Sequence, residues 1–317
     1  MRTLYLLSWV GLLIAALGLA ARFIPLTSHA TLTVAAFSPY LRAGAGVAAL
    51  ILILLRRWWT AAAAVLLTVI AVMVQLPLFI GPEPTAPNTV SARILTANVF
   101  EGRADPVQLS ALIRDRADIV VFQEITPELV SALHQEGLSA DFPNQATDAR
   151  RYAEGVAVWS RYPIGRSTRI PGFRSGVVSA EIQIPGAAAD TTVVVVHISG
   201  PWPQPMDDWR RDLAEFPDAI DAVAAKAGTG AVILAGDFNA TIDMAPFRRI
   251  LRGGFRDGAE QAGAGFTPTF PADASFPPVI GIDHIVTRNS WAKDVRTVRI
   301  PGSDHLGLEA TVHVRSQ

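Results

Sequence analysis

Ala231-Val-Ile-Leu-Ala-Gly-Asp-Phe-Asn239 is a run of small and branched apolar residues followed by a glycine and two polar side chains. The apolar run predicts a buried strand, and Gly236 permits a sharp turn where the chain leaves the sheet. Because side chains alternate along an extended backbone, Asp237 and Asn239 are expected on the same side. A carboxylate and a carboxamide at a strand end can hold a phosphate, a hard metal ion or an attacking water. The pattern also fits a polar turn after a core strand, so its meaning depends on the other strand ends.

Polar side chains stand at the ends of several other predicted strands. Short apolar runs predict strands at 92–99, 118–122, 155–161, 177–184, 191–198, 281–286 and 308–314. Helical spacing predicts helices at 106–116, 207–227 and 246–251, and Pro127 opens another. The polar residues at the strand ends are Asn98, Glu124, His197, Asp283, Asp304 and His305. Each alone also fits an ordinary turn, a helix cap or a structural histidine.

Charge is distributed unevenly along the 317 residues, of which 50% are hydrophobic. Residues 1–82 contain no Asp or Glu, and their basic residues are Arg2, Arg22, Arg42, Arg56 and Arg57. The remaining 22 basic and 28 acidic residues give the rest of the chain a net charge of −6. The absence of cysteine excludes disulfides and thiolate metal sites. A cationic apolar front is therefore joined to an acidic remainder.

Three apolar segments in this front are candidate membrane spans. Segment 4–21 is uncharged and of spanning length. It also fits a signal peptide, but the apolar segments that follow favour a retained span. Segment 60–80 is the clearest span, whereas 43–55 is short unless it extends back through Arg42.

The connection between the second and third segments indicates the orientation. Arg56, Arg57, Trp58 and Trp59 form a short basic, aromatic loop, which is typical of a cytoplasmic boundary. With this loop and the N-terminus inside, three spans place everything that follows outside the cell. We therefore expect a multi-pass cell-membrane protein. Its parts are a membrane region at 1–81 with about three helices, a proline-rich linker at 82–91 and an extracytoplasmic domain at 92–317.

The order of the polar strand ends resembles the endonuclease/exonuclease/phosphatase superfamily, the fold of deoxyribonuclease I, abasic-site endonucleases, neutral sphingomyelinases and inositol-phosphate 5-phosphatases. The matching segments are Leu-Thr-Ala-Asn98-Val, Phe-Gln-Glu124, Gly155-Val-Ala-Val-Trp-Ser-Arg161, His197, Gly-Asp237-Phe-Asn239, Ile-Asp283-His and Ser-Asp304-His305. Each motif is short, but seven in the family's order make a specific signal. The resemblance covers about residues 92–315 and leaves the membrane region unexplained.

The resemblance implies an α/β (α+β) fold, a four-layer sandwich of two packed, mostly antiparallel sheets flanked by helices. It also implies an enzyme, a metal-dependent hydrolase of phosphate esters. Glu124, helped by Asn98, would hold Mg²⁺ or Mn²⁺ through oxygen, as hard cations prefer. Asp304, next to His305, would support the metal or the histidine.

The same resemblance implies roles for the remaining polar residues. His305 would be the general base that takes a proton from the attacking water, and Asp283 would orient its ring. Asp237 and Asn239 would position the water and the phosphate. Two further residues would contact substrate: His197 would stabilise the developing oxyanion or protonate the leaving group, and Tyr152 would donate to a phosphate oxygen.

The fold does not select the phosphate ester, because one core serves several substrates. Two enzymatic hypotheses remain, a membrane-anchored nuclease and a phosphodiesterase that acts on a lipid or envelope phosphate. Duplex DNA binding relies on clustered basic residues, and the acidic part of the chain has only Lys226 and Lys293 besides its arginines. A catalytically silent binding or scaffold domain is the third reading. It requires a lost site residue, and none of the expected positions is substituted.

Overall fold

The computed structural model describes residues 1–25, 27–82, 88–203 and 205–317. The first part of the chain is helical. Its helices are α1 (Arg2–Phe23), α2 (His29–Ala36), α3 (Ser38–Leu54) and α4 (Trp58–Gln75), and a short 3-10 turn at Leu76–Leu78 follows α4. The linker expected at 82–91 falls partly outside the described residues, and its last residues already belong to a strand.

Two helical stretches among the described residues are long and apolar enough to cross a membrane, Arg2–Phe23 and Trp58–Leu78. A helix of the length of α1 is about 33 Å long, which matches a hydrocarbon core of about 30 Å. Helices α2 and α3 meet the same test together, but they are bent by 62° against each other, so the number of spans is two or three. The bend lies just before the middle apolar segment, which is the least regular of the three candidate spans in the sequence.

The described residues from 88 onward form two six-stranded sheets. The strands are β1 (Thr89–Asn98), β2 (Ile119–Gln123), β3 (Asn144–Asp148), β4 (Val156–Ser160), β5 (Ile164–Arg169), β6 (Val178–Ile182), β7 (Thr191–His197), β8 (Val232–Asp237), β9 (Arg256–Asp257), β10 (Asp283–Arg288), β11 (Ser290–Arg299) and β12 (Leu306–Arg315). The strand order is β11-β12-β1-β2-β4-β3 in the first sheet and β5-β6-β7-β8-β10-β9 in the second. Each sheet contains one parallel pair, β1 with β2 and β7 with β8, and its other pairs are antiparallel.

The two sheets pack face to face through a shared apolar core that includes Ile94 and Val121 of the first sheet and Val193, Ile233 and Ile285 of the second. Helices cover both outer faces. These helices are α5 (Pro106–Arg116), α6 (Pro127–Gln135), α7 (Leu138–Asp141), α8 (Met206–Ala227) and α9 (Ala245–Ile250). The short helix α10 (Gly258–Ala262) instead packs Ala259 against the shared core. The four-layer arrangement of helix, sheet, sheet and helix is confirmed.

Each outer face has its own core. Leu109 and Ile113 of α5 and Leu133 of α6 pack on the first sheet. Trp209 and Phe216 of α8 pack on the second. The core of the second sheet also includes Ala21 of α1 and Leu32, Ala35 and Ala36 of α2, so the first two helices pack directly on the sandwich.

Four strands without a sequence prediction are β3, β5, β9 and β11, and all four are edge strands. An edge strand pairs on one side only and exposes polar side chains, so it lacks the apolar run that reveals a central strand. The five exposed residues of β5, Gly-Arg-Ser-Thr-Arg at 165–169, illustrate this. By contrast, the bounds of α5 and the β6–β7 hairpin agree with the prediction.

Gly236 lies inside strand β8 and not at a turn, which differs from the expectation. Its φ is 148°, and a Cβ at this position would lie 1.9 Å from the carbonyl oxygen of Val196 in β7. The glycine therefore allows the backbones of β7 and β8 to approach closely beside the last residue of each strand.

Candidate active site

The ends of both sheets converge on one cluster of polar side chains. Parallel pairing places the ends of β1 and β2 at one edge, and it places His197 beside Asp237 at the ends of β7 and β8. Strand β10 runs antiparallel to β8, so its first residue, Asp283, also pairs with Asp237. Side chains of directly paired residues lie on the same face of a sheet. Asp237 is thus flanked by a histidine and a second carboxylate.

Asn98 connects the two sheets at this edge. Its Nδ2 donates to Glu124 Oε1 at 3.0 Å and to Asp237 Oδ2 at 3.2 Å, and its Oδ1 accepts the Phe100 N–H at 3.0 Å. Asn98 is fully buried. The carboxamide therefore holds a carboxylate of each sheet in place.

His305 lies between two carboxylates. Its Nδ1 is 2.9 Å from Asp283 Oδ2, and its Nε2 is 3.8 Å from Asp237 Oδ2. The Ser303 hydroxyl accepts the His305 N–H at 3.0 Å and donates to the Asn98 carbonyl at 2.8 Å. Burial by itself lowers the pKa of His305, but the charges of Asp283 and Asp237 outweigh it and raise that pKa.

His197 occupies the opposite side of the cluster. Its Nε2 is 3.7 Å from Glu124 Oε1 and 4.0 Å from Asp237 Oδ2. Burial lowers its pKa, so the neutral imidazole is favoured. The acidic residue Glu154 forms ion pairs with Arg174 at 3.6 Å and with Arg150 at 3.9 Å.

Asn239 meets Asp237 through a tight turn and not through strand alternation. Strand β8 ends at Asp237, and Asn239 has a φ of 46°. The Asn239 N–H donates to Asp237 Oδ1 at 2.7 Å, and its Nδ2 donates to the Ile198 carbonyl at 2.8 Å. The side chains of Asp237 and Asn239 are therefore brought together by this turn, whereas the sequence had suggested strand alternation.

Backbone strain is concentrated at the site. Glu124, Tyr152 and Asn239 all have positive φ, at 60°, 60° and 46°. Such values cost free energy in residues other than glycine and persist where the surroundings impose them. The Glu101 N–H donates to Glu124 Oε2 at 2.8 Å and contributes to this constraint.

Tyr152 and Asp304 are less closely integrated than the other expected residues. Tyr152 is 73% exposed and stands at the rim, without a hydrogen bond to the cluster among the described residues. Asp304 is partly buried beside His305, and burial raises the pKa of its carboxyl group. Glu124, Asn98, His197, Asp237, Asn239, Asp283 and His305 are joined by direct contacts.

The donor set fits a divalent cation. One ligand atom each from Asp237, Asp283 and His305 lies within 4.8 Å of the others. Asp283 Oδ1 is buried without a hydrogen-bond partner, and burial raises the pKa of Asp237. Buried carboxylates are expensive unless a positive charge compensates them. This group differs from the expected Glu124, Asn98 and Asp304 set, with which it is linked through the Asn98 bridge.

Two supporting residues carried no sequence signal. Thr269 Oγ1 accepts the N–H groups of Ile282 and Asp283, at 3.2 and 3.3 Å, and so orients the start of β10. Trp209 Nε1 donates to the Asn239 carbonyl at 2.9 Å. Both reach the site from distant segments, so only the folded chain reveals them.

His284 points away from the cluster, on the opposite face from Asp283. The centroid of its ring lies 4.1 Å from that of Phe247. It also makes hydrogen bonds, at 2.8 Å to Asp257 and 3.0 Å to the Ala240 carbonyl oxygen.

Known proteins share this fold at low sequence identity. The endonuclease/exonuclease/phosphatase from Bacteroides vulgatus has a TM-score of 0.59 at 17% identity, over 71% of this chain and 100% of that chain. Humanized D. rerio TDP2 has a TM-score of 0.55 at 18% identity, over 70% and 98%. The 3′ phosphatase NExo from Neisseria, bound to a product DNA hairpin, has a TM-score of 0.55 at 19% identity, over 69% and 98%. No match was found among curated proteins.

The family assignment rests on a separate comparison. The sequence model of the Endonuclease/Exonuclease/phosphatase family matches residues 95–305, which is more than half of the chain and spans every residue of the cluster described above. The chain belongs to the endonuclease/exonuclease/phosphatase family.

Proposed function

We propose that this protein is a membrane-anchored, divalent-metal-dependent phosphoesterase. The observation that carries the proposal is the continuous chain of contacts from Glu124 through Asn98 and Asp237 to His305 and Asp283. This chain of contacts joins the proposed general-base pair, His305 and Asp283, to oxygen atoms that can bind a cation. All of them lie where the strand ends of the two sheets meet. The family membership and the fold of phosphatase relatives support the same chemistry.

In the proposed mechanism each polar residue of the site has its own role. Asp283 accepts the Nδ1–H of His305, and a cation held by the nearby carboxylates would lower the raised pKa of this ring, so that Nε2 can take a proton from the attacking water. Asp237 and Asn239 orient the water and the phosphate. His197, favoured as a neutral imidazole, donates to the oxygen on which charge develops, and Tyr152 reaches the substrate from the rim.

Glu124, Asn98 and Asp304 are proposed to hold Mg²⁺ or Mn²⁺, with the carboxylate oxygens of Asp237 and Asp283 beside them. When bound, the cation neutralises negative charge on the phosphoryl oxygens. All of these side chains offer oxygen ligands, which suit either ion.

The membrane anchor and its orientation belong to the proposal. The apolar stretches Arg2–Phe23 and Trp58–Leu78 support a multi-pass anchor. The basic aromatic turn at 56–59 supports a cytoplasmic N-terminus and an extracytoplasmic site. NExo, whose structure contains a product DNA hairpin, makes nucleic acid one candidate substrate, and the anchor makes a lipid or envelope phosphodiester the other.

The function is tested with the full chain in detergent micelles and bis(p-nitrophenyl) phosphate. We expect turnover with Mg²⁺, no turnover with EDTA, and recovery when Mg²⁺ is added back. His305→Ala should lower kcat by about 10²–10⁴-fold, because the general base is lost. His313→Ala, at the far end of β12, serves as the matched control and should stay within twofold.

Each outcome has a defined meaning. Activity that ignores the chelator would reject metal assistance, and unchanged turnover of His305→Ala would remove the assigned base. A folded protein without turnover on this ester, on oligonucleotides and on phospholipids would favour the silent scaffold.

A further inference from the structure

Three loops that leave the site edge of the second sheet touch the ends of the helices at 1–78. The first follows β7. Its Pro201 carbonyl oxygen lies 3.1 Å from His29 Nε2 at the start of α2, and the ring of Trp202 stacks on His29 at 5.4 Å. Pro201 is four residues beyond His197, so this loop spans at most about 14 Å.

The second loop follows β8 and ends in a buried ion cluster. Asp243 accepts from Arg42 of α3 at 3.1 Å and from Arg22 of α1 at 2.5 Å. Its side chain is 3% exposed and that of Arg42 is 2% exposed. Breaking a buried ion pair leaves an uncompensated charge, so this contact resists separation. Asp243 lies six residues beyond Asp237, within about 22 Å.

The third loop, residues 263–282, precedes β10 and contacts both the site and the helices. On one side the ring of Phe270 lies 4.9 Å from that of His305. On the other side the Tyr40 hydroxyl of α3 donates to the Val279 carbonyl at 2.8 Å. The ring of Phe266 lies 6.4 Å from that of Tyr40 and 5.7 Å from that of Phe79. The helix ends are therefore held close to the catalytic histidine.

The large exposed apolar side chains that the structure describes in the sandwich lie at the same edge. Among the described residues from 88 onward, the large exposed apolar side chains are Val107, Tyr152, Trp202, Phe266 and Phe276. Each belongs to a loop or helix start that follows the site end of a strand or precedes one. Trp202 and Phe266 also contact the aromatic helix ends. Apolar exposure restricted to one edge indicates a surface that meets a membrane or a partner.

We propose that the site opens at the outer membrane surface and takes an amphiphilic phosphate ester whose alkyl part stays in the bilayer. Trp202 and Phe276 enter the headgroup layer beside the opening. The inference rests on the proposed function and names its substrate class. Its basis is the contact of three site loops with the helix ends, together with the restricted apolar exposure. The headgroup region is about 5–8 Å thick on each side of the membrane, so loops of this length bring the site next to it.

The alternative substrate is nucleic acid, and the observations favour it less. Nucleic-acid binding depends on Lys and Arg contacts to phosphates. Arg103 and Arg151 are also exposed at this edge, but four of its five large exposed apolar side chains are aromatic, and Trp and Tyr are typical of membrane interfaces. Nucleic acid is therefore kept as an outcome of the test.

The test uses the full chain in phosphatidylcholine vesicles with two esters that share one leaving group. p-Nitrophenyl hexadecyl phosphate inserts into the vesicles, whereas p-nitrophenyl methyl phosphate stays in water. With Mg²⁺, we expect kcat/KM to be at least about tenfold higher for the hexadecyl ester. Phe276→Ala and Trp202→Ala should lower hexadecyl turnover about 3- to 10-fold and leave methyl turnover within twofold. Trp291→Ala, at the start of β11 and away from the site edge, is the aromatic control and should change neither.

Different failures are distinguishable. If neither ester is hydrolysed, the proposed function fails. Equal kcat/KM for the two esters, or equal losses on both in Phe276→Ala and Trp202→Ala, would overturn the membrane-surface proposal and keep the phosphoesterase. Preferred hydrolysis of an oligonucleotide under the same conditions would also overturn it, because the substrate would then be nucleic acid.

Discussion

At the scale of single residues, the site concentrates negative charge where water is scarce. Asp237 and Asp283 are 1% exposed, and Glu124 joins them through the fully buried Asn98. Two histidines are the nearest groups that can compensate, and burial lowers the pKa of one of them, His197. Without a compensating positive charge this arrangement costs stability, and the proposed cation would offset that cost.

Asp237→Asn tests this balance through unfolding temperature and not through activity. Burial raises the pKa of Asp237, so its ionised form is unfavourable and a neutral amide relieves the cost. In EDTA we expect the variant to unfold at the wild-type temperature or above. Mg²⁺ at about 100 times its Kd should add roughly 2.7 kcal/mol to the wild type, or about 5–10 °C, and less than half of that to the variant.

The matched control for this measurement is Asp190→Asn, an exposed carboxylate at the start of β7. It should show the wild-type response to Mg²⁺. An equal Mg²⁺ shift in both variants would show that the cation binds without Asp237.

At the scale of elements, the parallel pairs β1–β2 and β7–β8 gather the site residues at one end of the strands. Contacts at the opposite end of the strands keep them in register. There Arg93 of β1 donates to Asp118, from its backbone N–H at 2.9 Å and from Nη2 at 2.8 Å. The Arg161 N–H donates to the Asp118 carbonyl at 2.9 Å. Asp118 therefore links β1, β2 and the residue after β4, far from the chemistry.

Asp118→Asn should lower stability in a pH-dependent way. Burial raises the pKa of Asp118, but the hydrogen bonds and charge of Arg93 outweigh it and lower that pKa below its ordinary 3.8. A lowered carboxyl pKa stabilises the fold above the unfolded value, and this stabilisation is lost as pH falls through the folded value. Because Arg93 is partly exposed, we expect a loss of about 1 kcal/mol at pH 7 and pH 5 that shrinks by pH 3.

Thermal unfolding at the three pH values measures this effect, again with Asp190→Asn as the control. A difference between wild type and Asp118→Asn that stays constant down to pH 3 would show that the carboxylate charge is not the cause. Phosphoesterase activity at pH 7 should remain, since the pair lies at the far edge.

At the scale of the whole molecule, the C-terminal end of α1, the start of α3 and the turn after α4 all meet the sandwich. The α3–α4 connection at 55–57 lies at the other ends of these helices, followed by Trp58 and Trp59, which are 64% and 91% exposed. If the helices cross a membrane, the sandwich and the Arg56–Arg57 turn therefore lie on opposite sides. The positive charge of the Arg56–Arg57 turn favours a cytoplasmic position for this turn.

This orientation predicts that protease added to intact spheroplasts removes an epitope tag placed after Gln317. A tag placed before Met1 should stay protected until the membrane is permeabilised. Protection of the C-terminal tag in intact spheroplasts, with digestion only after permeabilisation, would reverse the orientation.

The sequence alone determined the central strands, the helices α5 and α8 and the residues that end the strands. Buried strands need continuous apolar runs, and a polar residue at the end of such a run is visible without coordinates. This pattern made Asn98, Glu124, Asp237 and His305 visible as candidates, and the resemblance to the endonuclease/exonuclease/phosphatase family combined them into one site. The edge strands carried no such run, and the turn that joins Asp237 to Asn239 depends on a positive φ that no pattern displayed.

Only the tertiary structure decided which side chains touch. The Asn98 bridge and the Asp243 cluster join residues 139 and 201 positions apart along the chain, and Thr269 supports Asp283 from 14 positions away. Their partners are selected by packing of the helices and sheets in three dimensions, and hydrophobic periodicity reports only which face of an element is buried. The candidate site residues could therefore be identified from the sequence, whereas their closeness to the helix ends is decided by the tertiary structure.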